Sequence, residues 1–144
     1  MLSDLMNKIN YTEVIIPKQK PEKFYGNKEY KRLLMPRGSP IQKMNNIKKK
    51  ASQMLFRLLE GDGKALYILG IEDNGDIYGL NKKELDHTLI NFYNIVKEIN
   101  AKIKIIRIYK GYNKEINKIG YVCAARIFLP KEILNNKKES INGF

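Results

Sequence analysis

The sequence predicts an α+β fold: a ferredoxin-like strand-helix-strand-strand-helix-strand order with an extra C-terminal strand, and two helices on one face of a mixed sheet. Three observations predict it. Two long stretches carry apolar residues at three- and four-residue steps, the mark of a helix with one buried stripe. Short runs rich in Ile, Val, Tyr and Phe flank them, as strands require. Pro, Gly and Asn-Gly clusters fall between the runs and punctuate them. With 144 residues there is material for one hydrophobic core and too little for two.

Residues 1–27 show no sustained periodicity and contain Pro17, Pro21 and Gly26, so they read as an N-terminal arm with a β-rich piece at Glu13–Ile16. Lys28–Met35 is the first strand, stopped by Pro36-Arg37-Gly38-Ser39-Pro40. Ser39 suits an N-cap and Pro40 the first helical position. From Ile41 to Glu60 a helix is expected, its stripe made of Ile41, Met44, Ile47, Ala51, Met54, Leu55 and Leu58, with Gly61 and Gly63 ending it. Ala65–Ile71 reads as a buried strand, Asp73-Asn74-Gly75 as a type I′ hairpin turn, and Asp76–Leu80 as the returning strand. Asn81 and Glu84 have capping-box spacing for a second helix running to about Asn100, with Leu85, Leu89, Phe92, Val96 and Ile99 inward. Ile103–Tyr109 and Tyr121–Phe128 complete the strands. The expected domain therefore spans 28–130, followed by a charged tail, 131–144, that forms a short helix or frays.

The charge is the loudest global property. Twenty-seven Lys and Arg against 15 Asp and Glu give a net charge of +12, and residues 1–60 alone hold 13 cations against 5 acids. A field of that sign attracts RNA, other polyanions or acidic proteins. Lys, Ile and Asn are all overused, as an AT-rich genome such as that of a protist or a large DNA virus would produce, and lysine added that way only solubilises. No apolar run approaches the roughly 20 residues of a membrane helix, and the first residues lack a secretory h-region. One cysteine, Cys123, makes neither an intramolecular disulfide nor a multi-cysteine zinc site. The expectation is a cytoplasmic protein (host cytoplasm or virion if viral) without a membrane partner.

Each chemistry-bearing constellation also admits an ordinary structural role. Gly61-Asp62-Gly63-Lys64 follows a helix and precedes a strand, the reverse of a phosphate loop, and Ala65 stands where Ser or Thr is needed. Glu72, Asp73 and Asp76, with Glu29 from a neighbouring strand, are candidates for a divalent-ion site able to hydrolyse phosphodiesters, although Asp and Asn suit hairpin turns regardless. His87 has no partner histidine or nucleophile elbow and reads as structural. Cys123 reads as a buried, inert thiol. No catalytic residue, metal ligand or cofactor is assigned. Lys43, Lys50 and Arg57 are seven apart and line one side of the first long helix, with Lys48 and Lys49 beside them; Lys31, Arg32 and Arg37 lie just upstream. Lys31, Arg32, Arg37, Lys43, Lys49, Lys50 and Arg57 form the candidate nucleic-acid-binding patch, with a solvated helix face as the alternative. The strand before the second helix, DIYGL, lacks the basic-Gly-aromatic pattern of an RNA-recognition motif.

The block Arg57–Leu80, RLLEGDGKALYILGIEDNGDIYGL, resembles the N-terminal domain of the GTP-binding protein 1/2 family, elongation-factor-like translational GTPases, in its pattern R-L-x-E-G-x-G-x-A-x-Y-x-x-G, acidic Asn-Gly turn and G-L. The resemblance extends over about residues 26–110. It implies an accessory domain linked to translation or RNA turnover, with Gly61, Gly63, Gly75 and Gly79 as backbone requirements. The phosphate loop and Asn-Lys-x-Asp motif of that family's GTPase domain are not among these residues, so GTP hydrolysis is not implied. Glu29-Tyr30-Lys31 and Gly70–Leu80 are also similar to the AlbA-like domain of Schlafen proteins, some of which cut RNA with clustered acids; Glu22 is the acid that precedes Glu29 here. Function is thus expected to be binding of RNA, the ribosome or a protein partner, with a metal-dependent RNA nuclease or a homo-oligomeric structural protein as alternatives.

Overall fold

A computed structural model describes residues 2–142. It is an α+β structure with a five-stranded, mixed, open sheet and four helices, consistent with a ferredoxin-like-type arrangement. The elements are α1 (Leu2–Met6), β1 (Ile9–Ile16), β2 (Lys28–Lys31), α2 (Pro40–Glu60), β3 (Lys64–Leu69), α3 (Lys82–Glu98), β4 (Lys102–Asn113), β5 (Lys118–Phe128) and α4 (Lys131–Asn142). The strand order is β1-β4-β5-β3-β2. β2 runs parallel to β3 and β1 parallel to β4, whereas β5 is antiparallel to both of its neighbours. The crossovers through α2 and α3 proceed in the same direction along the sheet, so a common hand places both helices on one face.

Alternation along the strands separates the two faces. Ala65, Tyr67 and Leu69 of β3, Cys123, Ala125 and Ile127 of β5, and Ile103, Ile106 and Ile108 of β4 point to the helices and are all buried. Met54 and Leu58 of α2 and Leu85, Phe92 and Val96 of α3 meet them in one core. The Tyr67 and Phe92 rings lie 5.5 Å apart at 57°.

The expected Asn81–Glu84 capping box forms, and Ser39, expected as an N-cap, makes a second box with Gln42. The Gln42 amide donates to Ser39 Oγ (3.2 Å) while Ser39 N–H donates to Gln42 Oε1 (2.7 Å). Asn81 and Glu84 make the same exchange at 2.8 and 3.0 Å. Pro40 occupies the start of α2, where a missing N–H costs nothing.

Five expectations change. The N-terminal segment supplies β1, an edge strand paired with β4. β2 ends at Lys31 rather than Met35, because Leu34 turns into the core, where its N–H donates to Thr88 Oγ1 and its carbonyl accepts from Asn91. Ile41 and Met44 are 74% and 48% exposed, since 21 residues of α2 extend roughly 31 Å and overshoot β3, the strand α2 packs on, whose six residues span roughly 20 Å. Asp76–Leu80 makes two isolated bridges, Ile71–Ile77 and Leu80–Tyr121, in place of a full strand. Its turn is not type I′ either. Gly75 N–H closes on the Glu72 carbonyl and Glu72 N–H on that of Asp76, with the positive φ on Gly75 and not on Asn74. That is the three-residue hairpin with a glycine bulge.

Between β1 and β2, residues 17–25 form a strap joining opposite edges of the sheet. It lies against the hairpin: Gln19 N–H donates to the Gly75 carbonyl (2.9 Å) and Glu22 N–H to that of Asp73 (2.7 Å). The Tyr30 hydroxyl donates to the Lys20 carbonyl, and Lys18 pairs with Asp76 at 3.1 Å. Residues 131–142 form α4, anchored by Leu134 in the core and by an ion pair between Lys138 and Asp62.

Candidate functional site

The strap, β2 and α2 meet around two carboxyl groups. Glu29 points to the helix face of β2, opposite Tyr67, and is 8% exposed. Arg57, 4% exposed on the last turn of α2, donates from Nε to Glu29 Oε1 at 3.0 Å. Its Nη1 and Nη2 donate to the carbonyls of Gly26 (3.0 Å) and Lys23 (2.9 Å). All three donating nitrogens are therefore committed inside the protein, as a planar guanidinium fork allows. Arg57 belongs to the structure and leaves the predicted patch.

Glu22, on the strap, hydrogen-bonds Glu29 and accepts the Tyr30 N–H at 2.5 Å. Burial and the bond to Glu29 raise its pKa from 4.5 to about 7, and the charges of Glu29 and Asp73 add to the rise. A carboxyl placed against the Glu29 carboxylate gives up its proton less readily for that reason. Burial likewise pushes the Tyr67 hydroxyl beyond its ordinary range.

The remaining patch residues divide. Lys31 shares a side of β2 with Glu29 (3.9 Å) and reaches Gln53 Oε1 on α2 at 3.4 Å. Lys50 is half-buried, and burial with the charges of Lys31 and Lys49 lowers its pKa. Lys31 thus reaches α2 at Gln53, one turn along from Lys50, so Lys31, Lys49 and Lys50 occupy adjoining parts of β2 and α2. Lys43 is exposed one turn-set upstream on the same helix, and Arg37 is exposed in the preceding loop. Arg32, one residue past β2, lies apart with Glu72 at 3.8 Å and the Tyr78 ring at 5.5 Å.

The four acids considered for a metal do not converge. Glu29 is held by Arg57, Glu72 lies by Arg32, and Asp76 is engaged by Lys18 and Asn74. Among the described residues no group of three or more His, Cys, Asp or Glu is placed to hold a metal ion. The phosphate-loop candidate at Gly61–Lys64 is a helix-ending turn in which a Cβ on Gly61 would lie 1.9 Å from the Lys64 carbonyl oxygen. His87 is exposed; Cys123 is buried, and burial pushes its thiol up to about 12. Among the described residues no helix is long and apolar enough to cross a membrane.

Part of the sequence is similar to known proteins. The chain is 36% identical over 87 residues to GTP-binding protein 2 of Mus musculus and of Homo sapiens, covering 60% of this chain and 14% of theirs. It is 35% identical over 75 residues to the uncharacterized protein R625 of Acanthamoeba polyphaga mimivirus, covering 51% of this chain and 40% of that one. No protein-family model matches. The chain is therefore related to one region of a GTP-binding protein and spans about a seventh of its length.

Proposed function

We propose that this chain is a non-catalytic module that binds RNA, comparable to an accessory region of an elongation-factor-like GTPase, acting in the cytoplasm and hydrolysing no GTP itself. The observation carrying the proposal is the convergence of Lys31, Lys49 and Lys50 beside α2. Lys50 is pressed towards losing its proton by burial and by its like-charged neighbours. A phosphodiester seated there relieves both effects, since it neutralises the lysines and replaces the lost hydration. Lys43 and Arg37 extend the cationic surface upstream. Of the deeper acids, Glu29 is paired with Arg57 at 3.0 Å and lies farther from Lys31, at 3.9 Å, and the pKa of Glu22 is raised.

The experiment is fluorescence anisotropy with labelled RNA over a salt series. Lys43→Glu/Lys50→Glu should weaken binding and flatten the salt dependence, at roughly 0.7 per lost phosphate contact for a single strand. Unchanged affinity and slope remove the α2 flank from the interface. The Glu22–Glu29 pair supports a second reading, RNA cleavage: Mg²⁺- or Mn²⁺-dependent hydrolysis abolished by Glu29→Gln would replace the binding role. A protein partner would appear instead as co-purification without RNA, and a homo-oligomer as concentration-dependent light scattering.

A further inference from the structure

The sheet face opposite the helices carries a second cationic surface. Strand pairing sets its residues in rows. Lys102, Phe128 and Lys64 form one row across β4, β5 and β3. Ile105, Arg126, Leu66 and Lys28 form the next, from β4 to β2. Asn10, Arg107, Ala124, Ile68 and Tyr30 form the third. The strap and hairpin roof the far end, where Val122 and Tyr30 are buried, but Lys28, Lys64, Lys102, Arg107 and Arg126 are exposed.

Every charged side chain in these rows is cationic. β3, β4 and β5 contain no Asp or Glu, and Glu29 of β2 points to the helices. Among the described residues none of these five cations has an ion-pair partner, whereas Lys18, Lys82, Lys110 and Lys138 do. Arg126 is the telling case: an exposed arginine on the central strand, flanked by Ile105 and Leu66, with nothing acidic in its row. Between the cations lie apolar side chains, with Phe128 half-buried between Lys102 and Lys64 and Tyr109 half-buried one row beyond Arg107. Cations around aromatic rings on a flat surface suit unpaired bases on a phosphate backbone, because rings stack bases while Lys and Arg neutralise phosphates.

We infer that the open sheet face is a binding surface for single-stranded RNA, centred on Arg107 and Arg126 and separate from the α2 flank. This rests on the reading of the chain as an RNA-binding module and gives that module a second contact and a preferred strandedness. Acidic protein is the competing occupant; the apolar floor with its two aromatic rings favours bases.

The test uses the full chain and a fluorescein-labelled 12-nucleotide RNA without secondary structure. Arg107→Glu/Arg126→Glu should weaken binding at least tenfold and make the log–log salt slope shallower by about 1.4, two contacts at roughly 0.7 each. The control Lys83→Glu/Lys114→Glu makes the same change in net charge on exposed residues elsewhere and should stay within about twofold. Ultraviolet crosslinking should label the peptide containing Phe128. Both arginines are exposed, so thermal unfolding should match wild type and certify the variants. Equal losses in the two pairs would reduce the effect to net charge and overturn the inference. Loss confined to Lys43→Glu/Lys50→Glu would leave RNA on α2 alone, overturning the second surface while sparing the proposed function. Tighter binding to duplex RNA would overturn the single-strand assignment. No RNA binding by wild type would overturn both.

Discussion

Arg57 Nε donates to Glu29 Oε1 at 3.0 Å, and through its other two nitrogens the same guanidinium holds the carbonyls of Lys23 and Gly26. One buried side chain of α2 thereby fixes the β2 edge and the end of the strap. Its two roles are separable by mutation.

Arg57→Ala removes the hydrogen-bonded cation of buried Glu29, leaves it only the more distant Lys31 at 3.9 Å, and frees two carbonyls. A loss of about 3–5 kcal/mol is expected, the range for breaking a buried pair from one side. Glu29→Gln should cost less, since Arg57 keeps both carbonyls and can donate to the Gln oxygen. Urea unfolding of the two variants checks the order. A cost below about 1 kcal/mol for Arg57→Ala would show the pair to be dispensable.

Glu22 sets a pH dependence. Its pKa in the fold is about 7 against an ordinary 4.5, so between those values the native protein holds a proton that the unfolded chain releases. The associated stabilisation is complete below about pH 4.5 and is lost as pH rises through about 7. The thermal midpoint should fall across that window and level off above it. Glu22→Gln, which carries no titrating proton, should flatten that part of the profile and unfold later than wild type at pH 8. An unchanged slope in the variant would assign the effect elsewhere.

Local features were legible in the sequence and long-range ones were not. The Ser39 N-cap, the Asn81–Glu84 capping box and the α3 stripe follow from residue type and spacings of three and four residues, and they stand where expected. Of β1 only the β-rich piece Glu13–Ile16 is legible, because most of INYTEVII stays exposed at a sheet edge and its partner β4 lies far along the chain, so alternation is weak. Arg57 was grouped with Lys43 and Lys50 by helical spacing. That spacing reports a shared flank but not its depth, and the flank descends from solvent at Lys43 to the β2 edge at Arg57. Lys31 and Arg32 are neighbours where the chain is extended, so a period of two already separates them. The Glu22–Glu29 contact needs the chain reversal at Gly26, where φ is +89°, and the open face needs the full strand order before its three rows align.

Gly75 is the seat of the strap. Its φ is +92°, and a Cβ there would lie 2.0 Å from the carbonyl oxygen of Gln19, which is backbone and cannot swing aside. The Gln19 N–H also donates to the Gly75 carbonyl, so relief of the clash breaks that bond. Gly75→Ala combines left-handed strain, about 1–3 kcal/mol for a non-glycine residue, with displacement of residues 17–22. The backbone after the exposed Lys18 and Lys23 is then free to enter a protease site (Lys20 precedes Pro21 and is not a trypsin site), and trypsin should cut the strap of the variant well before the core, at a rate at least tenfold above wild type. Hydrogen exchange in β3 and β5 should stay slow, because their pairing does not involve the strap. A variant whose strap resists trypsin as wild type does would show that residues 17–25 are held by Arg57 and Tyr30 alone and owe nothing to the hairpin.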